Sequence, residues 1–115
     1  MYEKASASFE KAMEDNFDNP EPFFLAAVSL LRGKKPFVTL RPAIDKIEEY
    51  LNAAVMIEPR AVFYYFMSYI KQDYYNRKFF KTSPTSEELY ATAIQYGLTE
   101  TDIQSFHSMI GMPRP

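Results

Sequence analysis

Cysteine and tryptophan are absent from this 115-residue chain, histidine occurs once and glycine three times. The lack of cysteine excludes disulfide frameworks and thiolate metal sites and favours a reducing compartment. A nucleophilic relay needs a base beside its nucleophile, and His107 is the only histidine. A lone histidine near a helix end is expected at the surface. Gly33, Gly97 and Gly111 stand far apart, so no glycine-rich phosphate loop can form. The carboxylate neighbours Glu48 with Glu49 and Glu87 with Glu88 lie about 100° apart on a helix and do not converge on one atom. One histidine with scattered acids makes no metal centre. No catalytic set, cofactor site or metal site is therefore expected.

Long apolar runs are lacking as well. The longest, "FFLAAVSLL" and "AVFYYFMSYI", fall short of the roughly 20 residues that cross a bilayer. Glutamate and lysine interrupt the start, "MYEKASASFEK", so it does not read as a signal peptide. A soluble, cytoplasmic protein is expected. Hydrophobic residues make up 47% and charged residues 24%, as in ordinary soluble domains, and a chain of this length suits one domain over residues 1–115.

What the chain has in excess is the aromatic ring. Phenylalanine and tyrosine make up 17%, and nine of them fall within "AVFYYFMSYIKQDYYNRKFF", residues 61–80. Charge is segmental although its sum is only −2: residues 1–31 carry −4, 32–41 carry +4, 42–60 carry −2, 61–81 carry +3 and 82–115 carry −3. The basic blocks around Lys34, Lys35 and Arg41 and around Arg77, Lys78 and Lys81 could orient an acidic partner. Solvated helix ends and loops are the preferred reading, because short blocks like these are ordinary surface.

Periodicity predicts six helices and no convincing strand, hence an all-α fold. Ala5, Phe9, Ala12 and Met13 mark a first helix from Tyr2 to about Asp15. Asn19 caps a second, with Pro20 at its first position, which runs to Gly33. "KKPFVTLRP" reads as an extended loop with at most a few strand-like residues. Ile44, Ile47, Leu51, Ala54 and Val55 line a third helix, from Ala43 to about Ile57. A long fourth helix covers residues 61–80. Two starts are open for the fifth, Ser83 ahead of Pro84 or Thr85 with Glu88 in capping-box spacing, and it ends at Gly97. Thr99 caps the sixth, which sets Ile103, Phe106 and Ile110 on one face and stops at Gly111.

The helices repeat imperfectly. Ala5, Phe9 and Ala12 in one and Ile47, Leu51 and Ala54 in another share the same intervals, and Pro20 or Pro59 follows each. In "IEEYLNAAVMIEP" and "PEPFFLAAVSLLRGKK", over residues 2–80, the chain resembles tetratricopeptide repeats, in degenerate form. Ala12 and Pro20 stand three residues too far apart, the stretch centred on "KKPFVTLR" adds about eight, and Ser68 and Tyr69 replace a leucine and a small residue. The resemblance implies stacked antiparallel helical hairpins in a superhelix, with a concave groove that binds a peptide or protein segment. The alternative is an irregular helical bundle. Because the first helix matches the second half of a repeat, its apolar face is expected either to cap the array, to pair with a second copy in a homodimer, or to have lost a neighbour present in a longer protein.

At 100° per residue, Phe63, Phe66, Met67, Ile70 and Tyr74 share one face of the fourth helix, assigned to the core. Tyr65 and Tyr69 share a second. A gripping surface should use tyrosines, whose hydroxyl can stay wet while the ring packs. Tyr65 and Tyr69, with Arg77 and Lys78 at the rim, are therefore the candidate partner-binding residues.

Residues 84–111 are read as a helical hairpin that caps the array. Its Ala93, Gly97, Leu98 and Ile103 also resemble the helix-turn-helix of bacterial DNA-binding proteins, which would make the chain a nucleic-acid-associated regulator. Residues 86–111 carry Glu87, Glu88, Glu100 and Asp102 and no lysine or arginine. DNA binding draws much of its affinity from neutralised phosphates, so such a helix is repelled. The expected outcome of a duplex-DNA mobility assay at low ionic strength is no retardation; retardation that weakens as salt is added would revive the regulator reading.

Overall fold

The computed structural model describes residues 18–31 and 33–113. The helix expected from Tyr2, and with it the pairing of two copies, lies outside the described residues. Within them are five α-helices and no strand: α1 (Glu21–Leu31), α2 (Arg41–Ile57), α3 (Ala61–Ile70), α4 (Ser86–Gln95) and α5 (Glu100–Ile110).

Each helix begins and ends for a local reason. The Asn19 side chain accepts the Glu21 N–H at 3.0 Å, so asparagine followed by proline opens α1. Gly33 follows α1 at φ 72°, the left-handed conformation that ends many helices. Helix α2 starts two residues earlier than its apolar pattern, since Pro42 lies in its first turn, where no N–H has an intrahelical partner to lose. It stops where Pro59 forces Glu58 into an extended conformation, φ −154° and ψ 109°. Of the two starts open for α4, Thr85 is used, its hydroxyl accepting the Glu88 N–H at 3.2 Å. A complete capping box opens α5: Thr99 Oγ1 accepts from the Asp102 N–H at 3.1 Å and Asp102 Oδ2 accepts from the Thr99 N–H at 3.0 Å. Gly97 at φ 86° and Gly111 at φ 70° terminate α4 and α5.

The segment from 61 to 80 is not one regular helix. After Ile70 the backbone widens into a π-helical turn over Lys71–Tyr75, tightens into a 3-10 turn over Asn76–Lys78, and ends at Phe79 in the left-handed region, φ 62°. A uniform α-helix points Tyr74 and Tyr75 in different directions, yet both are buried. The wide turn slows the rotation of the chain about the helix axis, which lets Tyr75 reach α2 and donate its hydroxyl to Glu48 Oε1 at 2.6 Å. The loop expected to be extended after α1 contains a 3-10 turn, Pro36–Val38, and the Phe37 N–H donates to Asp73 Oδ2 at 3.0 Å, fastening the loop to the wide turn.

Packing follows the apolar stripes. Ile44, Ile47, Leu51 and Ala54 are each fully buried along α2, and α1 packs against it most closely, with Ala26 and Ala27 sealed. Small residues there let the two backbones approach. Arg60 pairs with both Glu21 and Glu58, joining the start of α1 to the entry of α3. Helix α4 lies chiefly against α3, and α5 lies against α3 while also reaching α1. Phe63 and Phe66 of α3 meet Phe24 of α1 at ring-centre distances of 5.2 and 6.1 Å, and Phe66 meets Phe106 of α5 at 4.7 Å. Four of the five residues assigned to the core face of α3 and its extension, Phe63, Phe66, Ile70 and Tyr74, are buried, and Met67 packs half-buried against them. No helix among the described residues is long and apolar enough to cross a membrane.

Deleting a side chain from such a core costs its transfer energy and leaves a cavity. Leu51→Ala is expected to lower stability by about 2–5 kcal/mol. Met56→Ala, on the exposed flank of the same helix, should stay within about 0.5 kcal/mol. Urea unfolding of both variants checks the pair.

Candidate functional site

Helices α3 and α4 meet over a pocket of about 350 Å³. Its floor is Tyr65, Ser68 and Tyr69 from α3 and Ser86 from the first turn of α4. Gln72, Glu87 and Tyr90 form its rim. Hydrogen bonds stitch the floor together: Ser68 donates to the Ser86 carbonyl at 2.8 Å, and Ser86 donates to Gln72 Oε1 at 3.1 Å. Those bonds occupy the hydroxyl donors, so the hydroxyls hold the two helices in register.

The two candidate tyrosines are therefore brought together, but as a floor. Tyr65 is 7% and Tyr69 6% exposed. The Tyr65 hydroxyl bonds His107 Nε2 of α5 at 2.7 Å, and the Tyr65 ring meets the Phe106 and His107 rings edge-on at 5.6 Å each. His107, expected at the surface as the lone histidine, is in fact buried. The spacing held that signal: His107 stands four residues after Ile103 and three before Ile110, inside the apolar stripe of α5. The Tyr69 ring is held edge-on by Phe106 at 5.8 Å and His107 at 5.3 Å, and its hydroxyl makes no hydrogen bond to the described residues.

Arg77 and Lys78 stand apart from this pocket. They close over the Phe37 ring, at 4.1 and 4.6 Å from its centre, and Arg77 pairs with Asp73 at 3.0 Å. The two basic blocks of the sequence do meet in space: Arg41, Lys71 and Lys81 line a common pocket with Tyr75 and Phe80. Much of that charge is answered locally, since Arg41 pairs with Asp45 at 2.9 Å and Lys71 with Glu48 at 3.0 Å. Rim residues Glu87 and Tyr90 escaped sequence reasoning because they become neighbours of Tyr65 only when α4 folds back onto α3, whereas Gln72, three residues after Tyr69, was within reach of helical spacing.

Burial holds the Tyr69 phenol neutral and pushes its pKa from 10.0 up to about 12; the negative charge of Asp73 and the proximity of Tyr65 add to this, and Arg77 opposes it. Burial and the hydrogen bond to Glu48 raise Tyr75 as well. Among the described residues no three His, Cys, Asp or Glu side chains gather as metal ligands would. The solvent-facing positions of α4 and α5 include Glu87, Glu88 and Glu100.

Comparison with known proteins gives no matching family model, no match among curated proteins and none among solved structures.

A phenol whose pKa rises on folding contributes stability that is complete below the unfolded value and is lost as pH climbs through the folded one. Stability is therefore expected to fall between about pH 10 and pH 12. Tyr69→Phe should flatten this decline, leaving the parts due to Tyr75 and Tyr64, which burial also raises. Urea midpoints measured across that range test it, and an unchanged slope in the variant contradicts the assignment to Tyr69.

Proposed function

We infer that the chain is a non-catalytic protein-interaction module, a scaffold of hairpins stacked in the manner of tetratricopeptide repeats, which receives a peptide or protein segment. The observation that carries this reading is the groove between α3 and α4, floored by the rings of Tyr65 and Tyr69 and edged by Tyr90. Tyrosine supplies large, stiff contact area together with a hydroxyl for orientation, which suits it to recognition of a chain whose sequence varies along its length. Support also comes from the contacts themselves. Helix pairs α1 with α2 and α3 with α4 make the most extensive interfaces, as successive hairpins of a repeat array would. A cytoplasmic setting belongs to the same reading and rests on the cysteine-free composition. The nucleic-acid alternative gains nothing from the acidic outer positions of α4 and α5.

The test is selection of binding peptides from a random display library, followed by nuclear magnetic resonance mapping of the selected peptides on the protein. Shifts centred on Gln72, Glu87 and Tyr90 are expected. Shifts centred instead on the Phe79 and Phe80 turn, or no peptide recovered, would contradict the reading.

A further inference from the structure

We propose that the pocket between α3 and α4 is a site for an organic cation, a quaternary ammonium or guanidinium head held against tyrosine rings beneath the Glu87 carboxylate. The proposal rests on the reading of this groove as a binding site and adds the chemistry of the group that enters it.

Four observations converge. The first is the wall: three of the seven lining residues are tyrosines, and the Tyr65 and Tyr90 rings stand 6.2 Å apart with their planes at 60°. Two rings at that angle bound the space on different sides. A cation lodged between them lies within the roughly 6 Å over which a ring's quadrupole attracts positive charge. The second is charge. Among the described residues Glu87 is the only carboxylate or cation lining the pocket, and it makes no ion pair with them. Helices α4 and α5 carry acids and no lysine or arginine, so no resident cation on either helix competes for the rings. Arg77, a basic group whose charge acts on Tyr69, is committed to Asp73.

The third is stiffness. Tyr65 is fixed by His107 and Phe106, and Tyr69 by the same two rings. A cage whose walls are already in place loses little entropy when its guest arrives. The fourth is what the floor still offers. The hydroxyls of Ser68 and Ser86 are spent on the Ser86 carbonyl and Gln72, while the Tyr69 hydroxyl makes no bond to the described residues and stays protonated. A guest thus meets tyrosine rings and a Tyr69 hydroxyl that can accept as well as donate. An anion would face Glu87 with no positive partner among the described lining residues. A volume of about 350 Å³ also admits a head group with its stem, whereas a helix, about 10–12 Å across with side chains, is too broad to enter.

Two sources share this chemistry, a cationic side chain of a bound peptide and a free small cation, and the experiment separates them. The protein, with its tyrosine rings labelled with carbon-13, is titrated at constant ionic strength with choline, with its uncharged counterpart 3,3-dimethylbutan-1-ol, and with short peptides carrying trimethyl-lysine, arginine or norleucine at one position. Choline is expected to shift the Tyr65, Tyr69 and Tyr90 ring signals saturably and to bind about two- to thirtyfold more tightly than the alcohol. Glu87→Gln and Tyr90→Leu, both at the exposed rim, should each weaken it within that range while the remaining signals stay in place. Tighter binding of the cationic peptides than of choline assigns the guest to a protein side chain; the reverse order assigns it to a free cation. Equal binding of choline and the alcohol, or choline binding unaffected by both variants, overturns the proposal. Peptides that bind as well with norleucine, when choline also binds no tighter than the alcohol, overturn it while leaving the peptide-binding reading intact. Choline binding with no peptide binding keeps the cation site and removes the peptide reading.

Discussion

Everything in this protein leans on one uncharged helix that is buried over most of its surface. Phe63, Phe66 and Ile70 of α3 are fully buried and Tyr65, Ser68 and Tyr69 nearly so. A helix apolar around its whole circumference has no solvent face, so it must find neighbours on every side. Helix α1 contributes Phe24, α4 covers the tyrosine side, and α5 sends Phe106 and His107 into the gap between them. The aromatic excess of the composition thus resolves into a ring cluster with α3 at its centre. Burial of rings of this size is worth about 1.5–3 kcal/mol each by area alone, with an increment for edge-on geometry.

Polar groups set the direction in which the chain leaves that core. Past Ile70 two carboxylates govern the path. Glu48 of α2 accepts from the Tyr75 hydroxyl and pairs with Lys71, and Asp73 accepts the Phe37 N–H and pairs with Arg77. The Tyr75 bond draws on the widened turn, because a regular helix would carry Tyr75 away from α2. The same turn brings the loop after α1 against the end of α3. The basic residues flanking it then serve largely as partners for these acids and for Phe37, which explains why two basic blocks in sequence do not add up to a strongly positive surface.

The all-helical class and the positions of the helices among the described residues were legible in the sequence, and the places where the reading missed have definite causes. Caps were readable because their chemistry is local: Asn19 before Pro20, Thr85 with Glu88, and Thr99 with Asp102 each act within three residues. The apolar stripe of α2 was readable because Pro59 bounds it. The irregular end of the fourth predicted helix was not, since nothing between Lys71 and Lys78 breaks helical spacing and the departure answers to Glu48 and Phe37, which are distant in sequence. His107 was misplaced for a related reason. Its polarity argued for solvent, whereas its position in the stripe and the partner hydroxyl of Tyr65, 42 residues away, argue for burial. For the candidate site, one face of the helix, Tyr65 with Tyr69, was legible. The other wall, with Glu87 and Tyr90, depended on how α4 folds back.

The site and the core are therefore two sides of the same rings. Tyr65 and Tyr69 pack against Phe106 and His107 on one side and line the pocket on the other, so the cleft keeps its shape only while α5 stays docked on α3. That dependence is tested most directly by a double-mutant cycle on Phe66→Leu and Phe106→Leu, read by urea unfolding. If the last helix is locked to the third through these rings, the two losses fail to add by about 0.5–1.5 kcal/mol. Additivity to within about 0.3 kcal/mol would contradict the docking on which the pocket depends.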